Sequence, residues 1–505
     1  MNWAFWTRLL RIALRPVGAP ILRLLRRELG IDDRPATSPA LPPNPPPNPP
    51  PTSISLLVLT AARTLASTGH QQIIRPAAQT AERGKLTIGF YGNIANNAYN
   101  FVKCLDRMGH RAELVVEDEG FDSFVMNRPA WEDVELECDS YEEGLAVERG
   151  WRQPHLVRRV NYDPEAQQHY QGRLSAISEV QELYKKNFGQ DIADDRALLL
   201  AQQMGHWPLI LSMARYDVVQ LSAAAISMGI FSPRPTVVFP TGSDLFLSPF
   251  GEDLFGLLVR AGYRGAHHIL ICNTNYGRYL DRLGITANRS FAPMMIDTDT
   301  YSPGDAPALR SRWARGGGEM FAVQICRQSW EWKGNDRLLR GFSKAVEAGV
   351  GNWRLVLMSW GEDLSRSQKL VKELGLEGHV IWEPLCSKPS LRLRQRAADL
   401  VIDEFAIEGY GTSVLESMAA GRPVLIRPVP KESLGAFKEP PPFLGASDAG
   451  EISTWFLQSL PQHDLSLAGE RSRKWLEAVH GYKAVAPVYL DAYDHALGRT
   501  LGINQ

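Results

Sequence analysis

Cysteine is scarce: five in 505 residues, at Cys104, Cys138, Cys272, Cys326 and Cys386, with no Cys-x-x-Cys and no Cys/His cluster at metal-ligand spacing. That excludes a disulfide scaffold and a zinc module, and it is the usage of a reducing compartment. Net charge is nearly absent as well, with 55 basic against 56 acidic side chains giving -1. A chain-wide nucleic-acid footprint is therefore excluded, and no nucleic-acid partner is expected. No apolar run reaches the about 18 residues of a membrane-spanning helix. What remains, 44% apolar and 22% charged, is the composition of a globular protein rather than a collagen-like or wholly disordered one. At roughly 150 residues per domain the length predicts two or three domains.

The first 34 residues interleave Trp3, Trp6, Leu9, Leu10, Leu14, Ile21, Leu22 and Leu25 with Arg8, Arg11, Arg15, Arg23, Arg26 and Arg27. Such a basic amphipathic segment fits an anionic membrane surface, with residues 1–30 lying along the headgroups; a partner-docking helix or a targeting segment fits equally. Residues 35–52, PATSPALPPNPPPNPPPT, form a proline-rich linker expected to be extended and semi-rigid. Residues 53–85 show no clear period and are left unassigned.

From Leu86 onward, apolar strand patterns alternate with helical ones. LTIGFYG (86–92), an amphipathic NNAYNFVKCLDRMG and AELVVED (112–118) make a βαβ start, and VVQL (218–221), TVVF (236–239) and HILICN (268–273) continue it. A second series runs through FAVQIC (321–326), WRLVLMS (353–359), HVIWE (379–383), DLVID (399–403) and PVLI (423–426). Apolar strands separated by crossover helices predict parallel sheets covered on both faces. The expected class is α/β: one doubly wound domain over 86–302, a linker rich in Gly and Pro over 303–318, and a second domain over 319–480. A helical region, 481–505, is expected to cross back to the first. Ligands of such sheets sit beyond the carboxyl ends of the strands, so the chemistry belongs in the cleft between the domains.

The densest signal is DEFAIEGYGTSVLESMAAGRPVLI, from Asp403 to Ile426. A strand ends, Gly409 and Gly411 permit a tight loop around Tyr410, and Thr412 or Ser413 caps a helix that Gly421 and Pro423 terminate. Backbone N–H groups of such a loop suit a phosphate, and Glu408 and Glu416, the latter placed in the helix's first turn, suit sugar or ribose hydroxyls. The same Ser413-x-x-Glu416 spacing also fits a capping box, with Glu416 merely bonding the cap residue. In the first domain, Gly92 and Asn93 occupy the first strand-to-helix turn as phosphate or acceptor contacts. Gly89-x-x-Gly92 is not the G-x-G-x-x-G fingerprint, which disfavours a dinucleotide-binding oxidoreductase. Asp244, in TGSDL after the 236–239 strand, contacts an acceptor or caps a helix. Asp297-Thr298-Asp299 is a D-x-D of metal-holding type, but it lies at the domain junction, where a solvated or capping role is favoured.

The Glu408-x7-Glu416 element with AAGRPV resembles the signature of the retaining GT-B nucleotide-sugar glycosyltransferases of family 4, the group 1 glycosyltransferases. The resemblance extends to ICRQSWEWKGNDRLLRGF, where Arg327 and Lys333-Gly334 stand at the family's two diphosphate-holding basic positions, and to TGSDL, ICNTNYGRYL and FAPMMIDTDTYSP. It covers roughly residues 86–480, most strongly in the second half. Thr241 stands where many relatives carry His, a departure from the family's pattern that puts a histidine-assisted role at this position in doubt. The resemblance implies a GT-B fold, two Rossmann-like doubly wound domains facing across a cleft, with the acceptor on the first and a UDP- or GDP-sugar donor on the second. It implies that Arg327, Lys333 and Glu408 carry catalysis, the two cations meeting the charge that grows on the leaving diphosphate. Glu408 would hold the sugar, Glu416 the ribose, and Gly409, Tyr410, Gly411 and Thr412 the rest of the donor. No obligatory cofactor or divalent metal is expected.

Those implications describe a hexosyltransferase of polysaccharide or glycolipid synthesis, acting on a glycan or lipid-linked acceptor, cytoplasmic and peripheral on the inner face of the cell membrane. A glycosidase using Glu408 and Glu416 as its carboxylate pair leaves the basic residues unexplained. A membrane-tethered scaffold with a transferase-like fold is the non-catalytic alternative.

Overall fold

The computed structural model describes residues 53–68, 85–117, 125–145, 147, 151–407 and 409–499. The basic arm, the proline tract and Glu408 lie outside the described residues. The first domain is built on β1 (Thr87–Tyr91), β2 (Arg111–Glu117), β3 (Glu137–Cys138), β4 (Val157–Val160), β5 (Val218–Leu221), β6 (Thr236–Val238), β7 (His268–Ile271) and β8 (Arg289–Phe291). All but β3 form one parallel sheet in the order β4-β2-β1-β5-β6-β7-β8. Every residue of β5 and β7 is buried, as a sheet covered by helices on both faces requires.

The second domain repeats the scheme with β9 (Met320–Gln324), β10 (Trp353–Met358), β11 (Val380–Glu383), β12 (Leu385–Cys386), β13 (Leu400–Ile402), β14 (Val424–Ile426) and β15 (Leu444–Gly445). Its parallel sheet runs β11-β10-β9-β13-β14-β15. In each sheet the chain winds outward on one side and then returns to the other. The order thus reverses between β1 and β5 and between β9 and β13, and at such a reversal adjacent crossover helices lie on opposite faces and leave a crevice.

The apolar runs in the sequence become strands within a residue or two. Edge strand β4 (VRRV) and the short β3, β8, β12 and β15 carried no such signal. Residues 53–68 of the unassigned stretch form a helix whose stripe of Val58, Ala62, Leu65 and Ala66 is buried, packing on the helix Leu254–Gly265. Two of those four are alanine, and Leu56 and Leu57 face solvent, which hides the period.

The domains are joined at several places among the described residues. The chain leaving the first domain pairs with the returning chain: the Ile296 N–H donates to the His480 carbonyl (2.8 Å) and the Tyr482 N–H to the Ile296 carbonyl (3.0 Å). From there the helix Tyr482–Ala496 lies against the first sheet, burying Tyr489 and Tyr493 in a cluster with Ile88, Phe90, Phe101 and Phe239. On the other flank β3 and β12 pair antiparallel, and the Arg394 guanidinium, 1% exposed, reaches Glu383 in its own domain and Glu137 in the other at 2.6 Å each. Between the two, Thr412 Oγ1 donates to Asn97 Oδ1 across the cleft at 3.1 Å.

Candidate functional site

The β9/β13 reversal gathers the residues singled out in the second domain. β9 ends at Gln324, and the chain passes through Arg327 into a short helix, Trp330–Lys333, then turns at Gly334 into the helix Asn335–Glu347. Gly334 has φ +66°, and a Cβ there would stand 3.0 Å from the Ala406 nitrogen, so the two strand-end loops pack backbone to backbone. That approach brings Lys333 onto the acids after β13: its ammonium bonds the Glu404 carboxylate and lies 3.7 Å from Asp403 Oδ1. Asp403 and Glu404 are buried. Burial holds the Glu404 carboxyl up to about 7 in spite of Lys333, whose ammonium its two acids hold above the ordinary lysine range against its own burial. Arg327 Nε lies 3.3 Å from Glu362 Oε2 and makes no hydrogen bond among the described residues.

Beyond β13 the loop through Gly409, Tyr410 and Gly411 opens the helix Thr412–Ala419. Neither Thr412 nor Ser413 caps it. Gly411 occupies the cap position, and the Ser413 hydroxyl donates instead to Asp403 Oδ2 at 2.9 Å. A Cβ on Gly411 would stand 3.7 Å from Glu404 Oε1, which places that carboxylate against the turn. The Tyr410 ring packs on Phe443, 5.1 Å between centroids, and edge-on to His480. Glu416 lies in the helix's second turn, not its first, and it forms no capping box: both its oxygens accept from Lys388 Nζ, at 2.5 and 2.6 Å. The pair is buried, Glu416 1% and Lys388 13% exposed. Burial, opposed by Lys388, raises the Glu416 carboxyl; Lys388, though buried, is held above its usual range by Glu416.

Glu404 and Lys388 were missed in the sequence. The signal for Lys388 was its place as the first residue of the helix Lys388–Ala397, where a cation opposes the helix dipole unless an acid meets it. For Glu404 the signal was an acid pair, Asp403-Glu404, at a buried strand's carboxyl end.

In the first domain, Gly92 has φ +84°, and a Cβ would fall 2.1 Å from the Ser222 carbonyl oxygen, so the residue is needed where β1 and β5 part. Asn93 spends its side chain on the turn, donating to Asn96 Oδ1 (2.7 Å) and the Asn127 carbonyl (2.6 Å) and accepting from the Tyr99 N–H (3.1 Å). Asp244 does not cap the helix Ser243–Phe246, whose cap position is Gly242. Its carboxylate accepts from the N–H groups of Thr241, Gly242 and Ala223, bracing two strand-end loops. These three residues line one cavity of about 300 Å³ at the carboxyl ends of the first sheet. Its wall also holds Glu117, buried and paired with His206 Nδ1 at 2.9 Å.

The D-x-D is engaged structurally. Asp297 pairs with Arg107 at 2.6 Å and accepts from the Thr300 hydroxyl at 2.6 Å, while Asp299 accepts from the Tyr482 hydroxyl at 2.7 Å. A larger groove of about 650 Å³ lies by Met320, Asp399 and Pro423, at the amino ends of β9, β13 and β14, the wrong end of the strands for a ligand of this fold.

Two Rossmann-like domains with their reversal points at a shared cleft constitute the GT-B architecture. Anabaena Alr3699/HepE, solved in complex with UDP and glucose, superposes with a TM-score of 0.53 over 80% of this chain and 98% of its own, at 14% identity. Sucrose-phosphate synthase from Thermosynechococcus elongatus does so with a TM-score of 0.53 over 82% of this chain and 100% of its own, at 13% identity. Within that fold, residues 305–433 match the family Glycosyl transferases group 1. The chain is also similar to the D-inositol 3-phosphate glycosyltransferase of Nocardia farcinica, 31% identical over 158 residues, 30% of this chain and 33% of that protein. D-inositol 3-phosphate glycosyltransferase 1 of Catenulispora acidiphila is 28% identical over 138 residues, 26% of this chain and 33% of its own. The chain thus spans about a third of the length of the curated relatives it matches.

Proposed function

We propose that this protein is a retaining, metal-independent hexosyltransferase of GT-B type that moves a sugar from a UDP- or GDP-sugar to a hydroxyl of a glycan or lipid-linked acceptor. The observation that carries the proposal is the β9/β13 reversal, where Arg327, Lys333 and the opening turn of the helix Thr412–Ala419 lie together beside the loop through Gly409 and Gly411. The matched family and the UDP bound by Alr3699/HepE support the same ligand class. Negative charge grows on the diphosphate as the glycosidic bond breaks. Fixed cations and helix N–H groups aimed at it lower the barrier without reorganising during the step. Arg327, whose Nε pairs with Glu362 without a hydrogen bond, and Lys333 fill the role that a divalent ion fills elsewhere. Glu408 is assigned to the sugar hydroxyls and Glu416 to the ribose. No side chain is assigned as a covalent nucleophile; the departing diphosphate takes the acceptor's proton on the same face, which retains configuration. Thr412 and Asn97 close the cleft over the donor and keep water from it.

Calorimetry with a panel of nucleotide sugars tests this. Donor binding and turnover are expected to be unchanged by EDTA, and Arg327→Ala is expected to weaken binding by at least tenfold. Activity abolished by chelation and restored by manganese refutes the metal-independent mechanism; no binding or turnover with any donor refutes the enzyme.

The acceptor is assigned to polysaccharide or glycolipid synthesis at the inner face of the cell membrane, with residues 1–30 on the lipid. No helix among the described residues is long and apolar enough to cross a membrane. Removing residues 1–34 is expected to abolish salt-sensitive cosedimentation with anionic liposomes, and undiminished binding by the truncated chain would refute the assignment.

A further inference from the structure

The donor site contains too much negative charge for a diphosphate. Its two cations are already faced by three acids: Lys333 by Glu404 and Asp403, and Arg327 by Glu362, which also takes the Ser329 hydroxyl. Asp403 is 0% exposed, and its Oδ1 accepts no hydrogen bond among the described residues. Glu404 is 5% exposed and lies against the Gly411 turn, where the N–H groups of the following helix would meet a phosphate. A diphosphate diester carrying two negative charges that engages Lys333 there must therefore displace or face a buried carboxylate pair. Two like charges brought this close inside a protein do not both stay ionised when a proton is available from water.

We propose that donor binding takes up one proton from solvent, and that Glu404 receives it: the carboxylate becomes a neutral carboxyl and releases Lys333 to the diphosphate. The proposal rests on the donor-site reading above and adds to it a gate on the occupancy of that site. The groups facing Glu404 are of both signs: burial and Asp403 raise its proton affinity, and Lys333 and Arg327 lower it. Lys333 comes from the short helix after β9, Arg327 and Cys326 from the loop between them, and Asp403 from the end of β13. Arg427 after β14 binds the backbone, its N–H on the Glu404 carbonyl and its guanidinium on the Ala406 carbonyl, and Arg337 binds the Phe405 carbonyl. Only Lys333 bonds the Glu404 carboxylate among the described residues, so losing that ammonium to the phosphate removes its one hydrogen-bonded counter-charge. Burial already holds this carboxyl up to about 7 in the unliganded protein. A second anion beside it raises its proton affinity further.

The full-length protein is titrated calorimetrically with UDP-glucose and, in parallel, GDP-mannose, whose diphosphate diesters have no phosphate group titrating between about pH 6.5 and 8.5. Two buffers of different ionisation enthalpy report the protons exchanged. Below pH 7 Glu404 is largely protonated before binding, so Kd is expected to be nearly flat; above it Kd is expected to rise, approaching about tenfold per pH unit, with close to one proton taken up. Glu404→Gln, a neutral mimic of the protonated state, is expected to abolish the slope and the buffer-dependent heat and to bind about thirtyfold tighter than wild type near pH 8.5. An infrared difference spectrum of the wild-type protein on adding the same sugars needs no variant, and it is expected to gain a protonated-carboxyl stretch. Binding with a flat Kd and no proton uptake overturns the proposal and leaves the donor site standing; undiminished uptake by Glu404→Gln overturns the assignment to that residue. Failure of both sugars to bind at any pH overturns the donor reading, and this one with it.

Discussion

Lys333→Ala is expected to lower kcat/KM by about a thousandfold and to lower Tm by about 10 °C, whereas Arg327→Ala is expected to lower kcat/KM by about a hundredfold at nearly unchanged Tm. In the proposed mechanism the activity losses have one cause, removal of a positive charge assigned to the leaving diphosphate. The stability difference follows from burial. Lys333 is 17% exposed and neutralises two buried acids, so its removal strands Glu404 and Asp403 beside each other, at a cost of about 3–5 kcal/mol. Arg327 is 31% exposed beside a Glu362 that is 23% exposed and also holds the Ser329 hydroxyl, so water and that hydroxyl meet the acid left behind. Combining Lys333→Met with Glu404→Gln is expected to return most of the lost Tm and none of the activity. Thermal melts and steady-state rates on the three variants check this; equal Tm losses for Lys333→Ala and Arg327→Ala would show that the Lys333 cluster is solvated after all.

What was legible in the sequence divides along the range of the interactions. β9, β10 and β13 are apolar runs whose burial on both faces is written in their own residues, and the loops after them announce themselves by glycine and by acids at a strand's end. The β3/β12 pairing was not legible, because two residues on each side, Glu137-Cys138 and Leu385-Cys386, pair across 247 positions or more and have no local pattern of their own. The partners of the charged residues were hidden for the same reason. Glu416 at the spacing of a capping box looks locally satisfied, and only the fold shows that Lys388, 28 positions earlier, competes for it and wins. The helix starts at Thr412 behind Gly411, so Glu416 falls in its second turn, beyond the capping-box position, and its carboxylate goes to the ammonium instead. Asn93 and Asp244 illustrate the opposite outcome: polar residues at strand ends that face the cleft in sequence order, but whose hydrogen bonds are consumed in holding their own loops.

The buried Glu416–Lys388 pair leads to the second large effect. Glu416→Ala is expected to destabilise the second domain by about 3–5 kcal/mol, because it leaves an ammonium that is 13% exposed without the carboxylate holding both its bonds. Lys388→Met is expected to be as damaging. Glu132 is a partial replacement at most: its Oε1 accepts from the Tyr301 hydroxyl at 2.7 Å, and its buried Oε2 makes no hydrogen bond among the described residues. Lys388→Met with Glu416→Leu places matched apolar groups in the same volume and is expected to recover most of that loss, since an apolar pair can replace a buried ion pair at little cost. If Glu416 also holds the ribose, the double variant stays folded yet binds UDP or GDP at least tenfold more weakly than wild type, with KM for the donor raised in proportion. A folded double variant with wild-type nucleotide affinity would remove Glu416 from the donor site and leave it a structural partner of Lys388. Urea unfolding followed beside nucleotide titration separates the two outcomes, because the stability change belongs to the ion pair and the affinity change to the carboxylate alone.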